Sequence, residues 1–515
     1  MSASGTAVPA ADGTAARSGI TATARGGWWG LLGSVTNVLF GYLFVTLVTR
    51  ALGAHGSGAV FTGVAVFTIL SNTCKLGADT GLVRFVSRDL ALSGGREVGP
   101  LLRTAVVPGA AASTAAAALL FLSPAAATTL LPTLAPDDAV LLIRLFAVFL
   151  PLATVTLVLL GATQGCGTVV PFVGVEQIGK PVLRVLIAVP LVLIAPGVPG
   201  LAAAWLVPAL AGAVVAWLAW RRCRPGPEAV TAPGAAAAAA RGFWAFSAPR
   251  AISSVFDISA VWVGVILLSS LGTSEEAGIY TAVSRVIIAA TLLQLAVRLA
   301  FAPEISRLLA VGEREEAAHL HRVSTCWIVV FSWPLLVFLA SFPGTVLSLF
   351  GPEFARGADA LVLLCVASAV NIGVGNAQTV LLMAGKSSWH LALTGIAFAV
   401  QLTVGVLAVP RWGVMGAALS WGAAIVVENL AAALLVRRHP GFTTVSRGYL
   451  AATAAGLGLT ACLVVPARLL AGDTVTGLAL GIAVGLLALG ISLCRFHTTL
   501  GVHELVGVLR RRTSA

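Results

Sequence analysis

The segment CKLGADTGLVRFVSR, Cys74–Arg88, closes an apolar run that begins near Gly58. It places Lys75, Asp79 and Arg84 at spacings of four and five before Arg88 ends it. Facing lipid, each such charge costs roughly 2.5–3.5 kcal/mol on insertion scales. Whether this stretch lies in a membrane, and what then pairs with its charges, decides how the whole chain is read.

Hydrophobic residues make up 58% of the 515 positions and charged ones 10%, with a mean hydropathy of +0.98. A soluble chain carries about 25% charged residues. Apolar windows of roughly 20 residues, each able to cross a ~30 Å hydrocarbon core, recur from Trp28 to Phe496. The expectation is an all-α polytopic membrane protein of about fourteen transmembrane helices. The expected spans are 28–51, 58–84, 101–123, 138–163, 169–195, 199–220, 243–271, 276–300, 323–350, 357–384, 389–410, 413–437, 448–470 and 475–496. The first span is too long for a signal peptide and lacks a small-residue cleavage site. Seven cysteines are scattered singly, without C-x-x-C spacing, which points to inert thiols rather than disulfides or zinc.

The net charge of +12 is distributed by side of the membrane. With the N-terminus in the cytoplasm, 22 of the 32 basic residues fall in inner loops and tails and four outside. That asymmetry is the positive-inside pattern, with a contribution from anionic lipid, and not a nucleic-acid footprint. Residues 1–26 read as a disordered cytoplasmic tail, 221–241 as a Pro/Ala/Gly cytoplasmic linker, and 498–515 as a basic cytoplasmic tail. The linker separates a lobe over 27–220 from one over 242–440, leaving two additional helices in 441–497.

A shift of 219 lays SRDLALSGGREVGPLLR (87–103) over SRLLAVGEREEAAHLHR (306–322) with seven identities in seventeen positions. The same shift places Leu52-Gly53 on Leu271-Gly272 and Thr62 on Thr281. Six spans separate equivalent points, so the expectation is two parallel six-helix repeats, an architecture that holds its substrate between the halves.

Nine charges are expected at membrane depth: Lys75, Asp79, Arg144, Glu176, Lys180, Arg184, Arg250, Asp257 and Arg285. Lys75 and Asp79, one turn apart, can neutralise each other on one helical face. Glu176, Lys180 and Arg184 stack on one face of the fifth span, where Pro181 should kink the helix. Arg250 and Asp257, seven apart, share a face of the seventh span. Two readings follow: salt bridges that staple a bundle, or a cavity for an anion, favoured by six cations against three carboxylates. MAGKSS (383–388) fails as a P-loop because its first glycine position holds Val380. No acid–base cluster suggests an enzyme.

The stretch TRALGAHGSGAVFTGVAVFTILSNTCKLGADTGLVRFVSRDLA resembles the N-terminal pattern of polysaccharide-transporter flippases of the MOP (multidrug/oligosaccharidyl-lipid/polysaccharide) superfamily. The matching residues are Arg50, Leu52, Gly53, Gly58, Gly77, Gly81 and Arg84-Phe85. EAGIYTAVSRV, APEISRLLAVGEREEA and VLSLFGPEFARGADALVLL resemble the C-terminal half of the same family, as do NIGVGNAQTVLLMAGKSSW and WGVMGAALSWGAAIVVENL. The resemblance implies two six-helix lobes plus two C-terminal helices, alternating access and a cationic central cavity. Its usual cargo is an undecaprenyl-pyrophosphate-linked oligosaccharide moved from the inner to the outer leaflet. On this basis Lys75, Arg250 and Arg285 are candidate substrate contacts, and Asp79 and Asp257 candidate coupling or ion-pair groups. Charge alone adds Lys180, Arg184 and Arg144 to the first set and Glu176 to the second.

No cofactor is expected beyond proton or sodium coupling, and the candidate partners are a glycan polymerase or glycosyltransferase. The alternatives are a cation-coupled drug exporter of the same superfamily, a membrane glycan polymerase or ligase, and a non-transporting scaffold. The topology is testable by cysteine labelling. In a Cys-depleted background, Val230→Cys should resist an impermeant maleimide added to intact cells and react after permeabilisation.

Overall fold

The computed structural model describes residues 13–496 except 225–232, 385, 440, 444 and 445, and every regular element among them is helical. Ten helices among the described residues are long and apolar enough to cross a membrane. Fourteen were expected from hydropathy; two of the ten each hold two segments, and the span expected at 276–300 is missing from the ten because it is broken at Thr291 into Ser274–Ala290 and Leu292–Ala310. Gly13–Cys74 turns at Gly53 (φ 66°, ψ −174°), and Ser387–Arg438 turns at Gly413 (φ 48°, ψ −124°). Both turns need a positive φ that only glycine adopts without strain; Gly53 lies in the gap between two expected spans, and Gly413 is the first residue of the span expected at 413–437. Val475–Ala488 adds a shorter apolar helix.

Two stretches expected to be irregular are helical where they are described. Residues 13–26 of the expected disordered tail continue the first helix, and residues 1–12 lie outside the described residues. The expected linker is helical up to Cys223 and again from Pro233. Proline suits a helix start, and Ala235–Ala240 are the strongest helix formers, so they extend the following helix rather than leave a loop. The expected tail 498–515 lies outside the described residues.

Helix Gly13–Cys74, beyond its Gly53 turn, packs along helix Ser274–Ala290. The two approach to backbone contact. A Cβ built on Gly58 would stand 1.5 Å from the carbonyl oxygen of Ser274, and one on Gly278 would stand 2.2 Å from that of Ala54. Ala54-x-x-x-Gly58 and Ser274-x-x-x-Gly278 thus form facing small-x-x-x-small ridges, which drive helix association where lipid removes the hydrophobic driving force. The members of this reciprocal pair are related by 220 residues, one away from the shift of the sequence repeat.

The same end of the bundle is laced by polar contacts. Arg50 Nε donates to Leu349 O at 2.8 Å, and the Ala54 amide donates to Glu353 Oε1 at 3.2 Å. The Thr133 and Ser274 hydroxyls lie 2.6 Å apart, and Arg356 pairs with Glu275. At the opposite end, helix Ala78–Ser93 meets helix Pro233–Leu271. Arg84 lies 4.5 Å from the Phe246 ring centroid, and Gly77 and Gly81 pack on Ser247.

Gly58→Val should force the two helices apart, lowering the apparent Tm in detergent by several degrees, at an overpacking cost of about 1–3 kcal/mol. Gly41→Ala, at a helical glycine with nothing within 4 Å of the new methyl, should leave Tm unchanged or slightly raised. Equal Tm values for the two variants contradict this account of the packing.

Candidate functional site

The opening segment is not one helix. Gly13–Cys74 ends and Ala78–Ser93 begins across Lys75–Leu76–Gly77. Leu76 has φ 54°, unlike every other non-glycine residue among those described, and Gly77 has φ 70°. Lys75 Nζ reaches across this break to Asp79 Oδ2 at 2.7 Å. The pair therefore clasps two helix ends instead of decorating one continuous helix. Helix breaks at membrane depth are tolerated where protein or water satisfies the freed backbone.

In the fifth expected span the backbone widens to π-helical turns over Val173–Gly179, just before Lys180 and Pro181. Proline removes a ladder hydrogen bond at this place, and the widened turns replace the expected simple kink. Lys180 Nζ lies 2.5 Å from Glu176 Oε1, with its side chain 7% exposed. Arg184, next along the same face, takes a different partner. Its Nε donates to Trp205 O at 3.2 Å, and the guanidinium lies 3.3 Å from the Trp205 ring centroid.

Arg285 also lies on a tryptophan, without the hydrogen bond that Arg184 has. It lies 4.7 Å from the Trp262 ring centroid, and its Nε is buried without a hydrogen-bond partner in the structure. The charges within reach of Arg184 are Glu176 and Arg285, which places the two arginines in one electrostatic neighbourhood. A cation–π contact gives about 0.5–2 kcal/mol and a hydrogen bond to a charged group about 1.5–3 kcal/mol. For Arg184, which has both, the sum matches the insertion cost of one arginine without a counter-ion; Arg285 has the ring contact alone. The positive charge stays available.

Not every nominated residue joins this group. Arg144 Nε donates to Phe121 O at 3.0 Å, with the ring centroid 5.0 Å from the guanidinium, so it is engaged near the end of helix Val98–Leu122. Arg250 and Asp257 are both exposed and lie within mutual electrostatic reach. Asp257 also faces His390 and Arg298, and Glu428 accepts from the Thr394 hydroxyl at 3.3 Å. Arg298, His390 and Glu428 are missing from the nine nominated charges. Glu428 had a readable signal, since it is the one carboxylate inside the expected span 413–437. His390 had none, because a histidine at a span end looks solvated. Among the described residues, no three His, Cys, Asp or Glu side chains converge as a metal-ligand group.

Between the helices that carry Gln294, Asn371 and Asn429 lies a cavity of about 330 Å³. Breaks in two helices meet there, at Thr291 and at Gly375–Asn376 (Gly375 φ 67°).

The chain matches the family model described as polysaccharide biosynthesis protein over residues 23–309. No curated protein matches it by sequence. Its fold is similar to that of lipid II flippase MurJ in an inward closed conformation, with TM-score 0.74 and 12% identity, covering 90% of this chain and 98% of that one. It is also similar to a mutant form of the MATE transporter VcmN of Vibrio cholerae, with TM-score 0.55 and 18% identity, covering 85% and 100%. A third similar structure is the MATE multidrug transporter DinF-BH in a ligand complex, with TM-score 0.60 and 14% identity, covering 83% and 97%. The fold is that of the MOP superfamily.

The two ways of holding a cation predict different mutant behaviour. Lys180→Leu strands Glu176, and breaking a buried pair from one side costs about 3–5 kcal/mol, so its membrane abundance and Tm should fall. Arg184→Leu strands no carboxylate and should keep both close to wild type. The reverse ranking, by quantitative immunoblot and thermal shift, contradicts the assignment of partners.

Proposed function

The chain belongs to the polysaccharide biosynthesis protein family, and on that premise we propose that it is a flippase for an undecaprenyl-pyrophosphate-linked oligosaccharide. It carries this anionic lipid from the inner to the outer leaflet by alternating access between two six-helix lobes. The observation that carries the reading is the pair Arg184 and Arg285, held on tryptophan faces rather than by carboxylates. An arginine so placed keeps its forked donors and full charge for a guest, and guanidinium matches pyrophosphate oxygens bidentately. Burial in low dielectric strengthens that attraction several-fold over its value in water.

The other charges take supporting roles. Lys75 meets the pyrophosphate in one access state and releases Asp79, freeing that carboxylate for a coupling proton or sodium ion. Because the pair bridges a helix break, this exchange is coupled to the angle between the two helix segments. With both termini cytoplasmic, the Gly53 end faces outward, and its laced contacts close that side. Arg250 and Asp257 stand on the inner approach. An exporter of cationic drugs would place carboxylates where Arg184 and Arg285 stand, so the sign of this site weighs against that function.

Gene deletion should make lipid-linked glycan accumulate in the inner leaflet. Wild-type protein should restore export, and Arg285→Ala or Arg184→Ala should cut it by at least tenfold at near-normal abundance. Arg285→Lys should retain more export than the alanine variant. Full export by the alanine variants, or no glycan accumulation on deletion, contradicts the reading.

A further inference from the structure

The cavity of about 330 Å³ is not lined like the arginine site. Four carboxamides face it from four helical segments: Gln294, Asn371, Gln378 and Asn429, with Asn376 at the helix break and Trp421 beside them. Gln294 and Asn371 exchange two side-chain hydrogen bonds, each 3.3 Å long, and Gln378 donates to Asn429 at 3.5 Å. These lengths lie at or beyond the long end of the normal range. The amides hold one another weakly, where a ligand could replace each bond with a shorter one. Asn376 is 4% exposed, and its buried Nδ2 donates to nothing in the structure. An unspent donor of this kind in a cavity marks a place for an acceptor.

The lining chemistry narrows the ligand. A carboxamide offers two donors and an acceptor without charge, which complements a group rich in hydroxyls that both donate and accept. Trp421 adds a flat apolar face. The volume sits at the low end of the ~300–1,000 Å³ range for small-molecule sites, enough for one or two sugar rings. Among the described residues, a pyrophosphate would find one cation in this lining, Arg298, and would also meet the carboxylate of Glu428. A metal ion would find one carboxylate.

We propose that this amide-lined cavity is the glycan subsite: it takes the first sugar residues of the substrate while the arginine site takes the pyrophosphate. The inference rests on the flippase reading and deepens it by dividing the substrate between a charged and an uncharged site. Selectivity for a glycosylated over a bare lipid then resides in Gln294, Asn371, Gln378 and Asn429. A site built to hydrogen-bond a ligand discriminates strongly, because its polar groups are left unpaired when the ligand lacks the matching hydroxyls.

The test measures binding of two probes to purified full-length protein in lipid nanodiscs. These are undecaprenyl pyrophosphate and undecaprenyl-pyrophosphate-linked N-acetylglucosamine. Wild type should bind the sugar-bearing lipid at least tenfold more tightly than the bare one. The double variant Gln294→Leu/Asn371→Leu, which removes both members of a pair and so strands neither, should abolish that difference. Its affinity for the bare lipid should stay within twofold of wild type. Gln378→Met, a milder change, should reduce the difference by several-fold even if the double variant is unstable. Equal wild-type affinity for the two lipids overturns the glycan subsite alone. A variant that keeps the full difference does the same. Wild-type protein that binds neither lipid sinks the flippase reading and this subsite together, so the two failures are distinguishable.

Discussion

Two helices that come too close for a methyl group set the frame of this protein. At Gly58 and Gly278 the backbones of Gly13–Cys74 and Ser274–Ala290 touch, so no side chain can separate them. In lipid, where burial of apolar groups gives little association energy, such contact is what holds helices together. One end is thereby closed, and Arg50, Thr133, Glu353 and the Arg356–Glu275 pair reinforce it. Each of the two helices is interrupted beyond the contact, at Lys75–Gly77 and at Thr291. A pair fixed at one end and broken farther along can hinge without losing its anchor.

Membrane-depth charge is handled in three ways, and the differences carry the functional reading. Lys75–Asp79 and Glu176–Lys180 are closed within one chain segment and cancel locally. Arg184 and Arg285 lie on tryptophan faces and make no salt bridge among the described residues, although Glu176 is within electrostatic reach of Arg184. Asp257, Arg298, His390 and Glu428 form a mixed group across helices, of which Arg298 and Glu428 line a cavity whose remaining polar lining is uncharged. A chain that only needed to offset insertion cost could have used the first device throughout. The second leaves a positive site, which a pyrophosphate needs.

Much of this was legible in the residues, for physical reasons that also mark the limit. Hydropathy located the helices because lipid demands long apolar runs; Gly53 fell between two expected spans and Gly413 at the first position of another, because a reversal needs positive φ. The Lys75–Asp79 and Glu176–Lys180 pairs were readable because four positions keep such groups within side-chain reach, even though the first spans a helix break and the second borders π-helical turns. The break beneath Lys75 was not, since Leu76 carries no local signal for left-handed backbone. Trp205 as the partner of Arg184 was hidden by its distance of 21 positions along the chain. The amide cavity escaped notice because Gln294, Asn371, Gln378 and Asn429 are spread along the sequence and carry no charge. Arg144 shows the converse: a charge at the right depth whose partner, Phe121, lies near a helix end.

The most direct measurement is translocation by the purified protein. Proteoliposomes carrying a fluorescent undecaprenyl-pyrophosphate-linked oligosaccharide on their inner leaflet would be probed from outside with an impermeant glycosidase. The account predicts that reconstituted protein renders the internal pool cleavable within minutes, while protein-free vesicles keep it protected. Protection unchanged by the protein, with a cationic rhodamine dye transported instead, would contradict it.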